Sequence, residues 1–136
     1  MSVKSPSVLA IIPARGGSKG LPAKNLKMLQ GKPLLTWTIE AAIGAHCISK
    51  VVVSTDDLDI ASIAKASGAE VPFIRPGFLS TDNATTADVV SHASSFYKGF
   101  DFLIVLQPTS PLRNSLDIDN AFLAMTNVSA SSCVSV

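Results

Sequence analysis

The sequence predicts a doubly wound, mainly parallel α/β sheet with helices on both faces, and three observations carry that prediction. Short apolar, β-branched runs recur along the chain, segments with helical spacing separate them, and the composition is strongly apolar with few charges. Of 136 residues, 47% are hydrophobic and only 15% are charged, against about 25% charged in an ordinary soluble domain. Strands buried on both faces of a parallel sheet read as continuous apolar runs, which produces such a composition. The same figures exclude a disordered chain and a solvated helical array.

The strand runs fall at residues 8–12, 51–54, 71–74, 102–106 and 133–136. Between the first two, Pro33 suits the first position of a helix, and Leu34, Leu35, Trp37, Ile39, Ala42 and Ile43 continue it to a break near Gly44. Asp57 opens a second helix, with Leu58, Ile60, Ala61 and Ala64 inward and Gly68 as a left-handed stop. A third spans about residues 85–98, ahead of Gly99, and a fourth spans about 115–126. Three loops break the pattern, at 13–32, 75–84 and 107–114. Each leaves the carboxyl end of a predicted strand, where open parallel sheets bind their ligands.

Net charge is +1, which argues against a purely electrostatic hold on nucleic acid or an acidic membrane. The distribution is uneven. Residues 1–50 hold seven basic side chains and one acid, a net +6, and the remainder holds four basic and nine acidic, a net −5. An anion is therefore expected near the N-terminal third. Cys47 and Cys133 have no CxxC spacing and read as reduced, partly buried thiols, with a disulfide left open. No signal-peptide pattern opens the chain, and no apolar run, 102–106 included, exceeds five residues, far short of the ~20 residues that span a bilayer. A cytoplasmic protein is the expectation.

The loop IIPARGGSKGLPAKN, residues 11–25, places three glycines beside Arg15, Lys19 and Lys24 after a buried strand. Glycines let backbone N–H groups approach a phosphate, and the three cations neutralise charge spread over several oxygens. Neither common nucleotide motif is present, because Ser18-Lys19-Gly20 is no Walker sequence and Gly16, Gly17 and Gly20 do not form GxGxxG. Pro13 and Pro22 restrict the backbone on either side of the glycines.

The string IIPARGGSKGLPAKN, followed by VVVSTD (51–56), RPGFLSTD (75–82) and LQPTSPLR (106–113), resembles the acylneuraminate cytidylyltransferases. Four separated motifs in the family's order cover the chain from Val8 onward. The resemblance implies a Rossmann-like nucleotidyltransferase fold and transfer of a cytidylyl group from CTP to a nonulosonic, sialic-type acid, releasing pyrophosphate. Pseudaminic, legionaminic and 3-deoxy-ulosonic acids remain alternative acceptors, and a non-catalytic nucleotide-binding fragment completed by a second chain remains an alternative class.

Residue by residue, the resemblance implies that Arg15 and Lys19 hold the triphosphate and act in catalysis. It implies that Lys24, Asn25, Arg75 and Thr86 contact CTP and that Gln107 faces the acceptor sugar. From the residues alone, Arg75 is equally a salt-bridge partner of Asp82, Thr86 equally an unliganded helix residue, and Asp57 simply a helix cap. His46 and His92 read as structural or exposed, and Met28, Met125 and Trp37 as core or interface packing. The resemblance further implies Mg²⁺ as cofactor, with its aspartate ligands beyond residue 136 and no metal ligand within this chain, and a homodimer in the full-length form. Asp117 and Asp119 do not substitute, since their spacing on a helix turns them to different faces. Residues 1–136 are expected to form the nucleotide-binding portion of a single cytidylyltransferase domain, truncated at its C-terminus.

Overall fold

A computed structural model describes residues 7–14, 28–74, 85–107, 114–127 and 134–135, with the backbone alone for residues 86, 125–127 and 134–135. Strand β1 (Val8–Pro13) is the centre of the sheet. Its first five residues, VLAII, are all buried. It pairs in parallel with β4 (Lys50–Ser54) on one side and β5 (Phe102–Val105) on the other, and β6 (Val134–Ser135) pairs in parallel with β5. The spatial order is β4-β1-β5-β6.

Alternation along β1 divides the core in two, because successive side chains of a strand point to opposite faces. Val8, Ala10 and Ile12 join Val51, Val53 and Ile104 beneath three helices: α1 (Leu34–Gly44), α2 (Leu58–Ala66) and α4 (Ser115–Asn127). Those helices contribute Leu35 and Ile39, Ile60 and Ala64, and Ile118 and Phe122. Leu9, Ile11 and Val52 face the other way, against Ala93 and Val90 of α3 (Thr86–Ser94) and the rings of Phe73, Tyr97 and Phe100. The sheet is thus covered on both faces, as the composition predicts.

Local chemistry sets the helix ends. Asp57 caps α2, its Oδ1 accepting the N–H groups of Asp59 and Ile60 at 2.8 and 3.0 Å. Thr85 and Asp88 form a reciprocal box at the start of α3, and Asn114 and Asp117 do the same for α4. At the end of α2, Gly68 has φ +105°. Its N–H donates to the Lys65 carbonyl and that of Ala69 to the Ala64 carbonyl, the paired bonds of a Schellman motif.

Four sequence expectations need correction. Residues 71–74 are not a strand. Glu70 accepts from Val53 N–H and donates to the Val51 carbonyl, but the next residue on that side of the ladder is Pro72, which has no N–H to donate. Residues 28–33 form an antiparallel hairpin, β2 (Met28–Leu29) and β3 (Lys32–Pro33), where a loop was expected. Gln30 and Gly31 turn it with φ of +49° and +84°, the sign pattern of a type I′ turn. Pro33 belongs to this hairpin and precedes α1 as its cap, with ψ 147°, so it is not the first helical residue. Helix α3 ends at Ser94 and not near residue 98. The Ser94 and Ser95 hydroxyls donate back to the Ser91 and His92 carbonyls, competing with continued helix.

Gly68 gives a direct test of the α2 stop. An added Cβ there would lie 2.8 Å from Cδ1 of Ile43, on a backbone that L-residues rarely adopt. Gly68→Ala is expected to lower stability by about 1–2 kcal/mol in urea unfolding; an unchanged midpoint would show the stop is not held by this conformation.

Candidate functional site

Three adjacent strands end at one level. Pro13 lies opposite Ser54 and Ile11 opposite Val105, so Pro13 and Gln107 each stand two residues beyond the Ile11–Val105 pair. The Ala14 N–H donates to the Ser54 carbonyl at 2.9 Å and the Leu106 N–H to the Ile11 carbonyl at 3.0 Å, carrying the ladder to the last residues before the connections. Ser54 and Thr55 are completely buried at this edge. Thr55 Oγ1 accepts the Asp57 N–H at 3.1 Å, and Asp57 is itself occupied as the α2 cap. The VVVSTD motif therefore serves the strand-to-helix turn, as the capping reading of Asp57 expects.

The connections that carry the other motifs start and finish on anchored framework. Residues 15–27 run from Ala14 into the β2–β3 hairpin. That hairpin is fastened to α1 by the Trp37 indole, which donates to the Leu29 carbonyl at 2.7 Å. Lys32 adds an ion pair to Glu40 at 2.6 Å and sits 4.6 Å from the Trp37 ring centroid. Residues 75–84 run from Ile74 to Thr85, and Phe73 locks the first of these ends onto α3 and the turn after it, meeting His92 edge-on at 4.6 Å and stacking on Phe96 at 4.7 Å. Residues 108–113 run from Gln107 to the Asn114 cap.

Gln107 lies, half-buried, just past the end of β5. Thr86 is the first residue of α3, and its side chain lies outside the described residues. Arg15, Lys19, Lys24, Asn25 and Arg75 also lie outside them, as do Cys133 and the Met125 side chain. Met28 is 60% exposed, so it is not core. Trp37 is more than packing, since its N–H ties the hairpin down; the sequence signal for this was a single tryptophan three residues into a helix that follows a Gln-Gly turn.

At the opposite end of the sheet Asp119 joins α4 to the turn before β4. Its two carboxylate oxygens accept the N–H groups of Cys47 at 2.8 Å and His46 at 3.0 Å. Asp117 is engaged in the α4 cap, so the two carboxylates serve different backbone groups. Among the described residues no cluster of three His, Cys, Asp or Glu side chains is placed to hold a metal ion. Burial, reinforced by Asp119, pushes the Cys47 thiol up to about 12, which leaves it protonated and unreactive at neutral pH.

A doubly wound parallel sheet whose glycine- and lysine-rich connection leaves its central strand is the architecture of a nucleotide-binding α/β domain. A model of the family described as cytidylyltransferase matches residues 9–135, and the chain belongs to that family. It is 43% identical over 127 residues to an N-acylneuraminate cytidylyltransferase of Escherichia coli, matching 93% of this chain and 30% of that protein. It is also 43% identical over 133 residues to a CMP-N,N'-diacetyllegionaminic acid synthase of Legionella pneumophila, matching 95% of this chain and 57% of that one. The chain thus spans between about a third and somewhat over half of these relatives. Among solved structures, a CMP:2-keto-3-deoxy-manno-octonic acid synthetase complexed with CTP superposes with a TM-score of 0.78 at 27% identity. That match covers 91% of this chain and 49% of the other.

Asp119 yields a pH prediction. Burial draws its carboxyl upward, but the hydrogen bonds from Cys47 and His46 outweigh this and hold it below the ordinary 3.8. A lowered carboxyl stabilises the fold above its ordinary value, and that contribution disappears as pH falls through the lowered one. Asp119→Ala is expected to lower the urea midpoint at pH 7 and to differ less from the parent near pH 3; a gap that stays constant with pH would remove the carboxylate charge from the account.

Proposed function

We propose that this chain is the nucleotide-binding portion of a cytidylyltransferase domain, taking CTP at the carboxyl ends of β1, β4 and β5 and transferring its cytidylyl group to a nonulosonic acid. The observation that carries this reading is the family match across residues 9–135, on a framework in which the connections after Ala14 and Gln107 leave the adjoining ends of β1 and β5. Relatives named for sialic and legionaminic acids match with equal identity, so the acceptor is assigned at the level of the nonulosonic acids.

In the reaction a sugar hydroxyl oxygen bonds to the α-phosphorus, the bond from that phosphorus to the bridging oxygen breaks, pyrophosphate departs and the hydroxyl proton is lost. Such chemistry is positioning plus cancellation of charge developing on phosphate oxygens. Arg15 and Lys19 supply that charge at the triphosphate, with Lys24 beside them. Asn25, Arg75 and Thr86 face the nucleoside, where a site built of hydrogen bonds rejects a base that cannot make them. Gln107, past the end of β5, faces the acceptor. A divalent cation such as Mg²⁺ offsets triphosphate charge when bound. The described residues offer no ligand set for it. The full-length protein is proposed to be a cytoplasmic homodimer.

Calorimetry with CTP, with and without Mg²⁺, tests the reading. CTP binding is expected; no CTP binding alongside binding of another nucleotide would overturn it, and CTP binding without turnover by the complete protein would favour a non-catalytic module. For the triphosphate contact, Lys19→Ala is expected to weaken CTP about 10- to 100-fold, the size of a lost charge-assisted bond, while CMP changes little. Equal losses for CTP and CMP would count against Lys19 at the triphosphate.

A further inference from the structure

We draw no further inference here: the strongest candidate, the open cavity of about 240 Å³ at the amino end of β4, walled by Ile43, Ile48 and Val51 and rimmed by Ser49, Lys50 and Glu70, carries nothing, because its two charges already satisfy each other as an ion pair at 2.9 Å and nothing in the structure shows what fills it.

Discussion

Everything in this molecule is arranged around one strand that has no face toward water. In β1, Val8, Ala10 and Ile12 fill one core and Leu9 and Ile11 the other, all completely buried. A strand so enclosed must bond on both edges, and both neighbours run parallel to it. Parallel neighbours cannot be joined by a tight turn, so each connection crosses over through a helix. From that constraint come the helices on both faces and the shared level at which β1, β4 and β5 end.

The connections are held at their ends by different chemistries. An indole N–H and a cation over its ring hold the hairpin after residue 27. Stacked and edge-on rings of Phe73, Phe96 and His92 hold the chain before residue 75. A reciprocal Asn114–Asp117 box starts the helix after residue 113. Anchors of this kind give a connection a defined entry and exit. Asp119 works at the far end, where bonding the His46 and Cys47 N–H groups ties α4 to the approach of β4.

Strands β1, β4 and β5 and helices α2 and α4 were legible because burial periodicity and capping residues are local signals. Asp57 and Gly68 did what their residue types permit. The misread elements lacked such signals. Residues 71–74 look like a strand by composition, yet Pro72, two residues after Glu70, ends the ladder. The β2–β3 hairpin is too short to show any period, and its turn uses Gln30 where Asn or Asp would have announced it. For the candidate site, the motifs around Arg15, Lys19, Lys24, Asn25, Arg75, Thr86 and Gln107 were legible through family resemblance, whereas the tie from Trp37 to the hairpin was not.

By itself the sequence determined the fold class and the family, because these depend on composition, order and local chemistry. Only the tertiary structure decided which strand is central, that Pro13, Ser54 and Gln107 share an edge, and that Trp37 reaches the Leu29 carbonyl. Those facts depend on which segments lie side by side. That choice is made by the burial of whole faces against one another, a property that no short window of sequence contains.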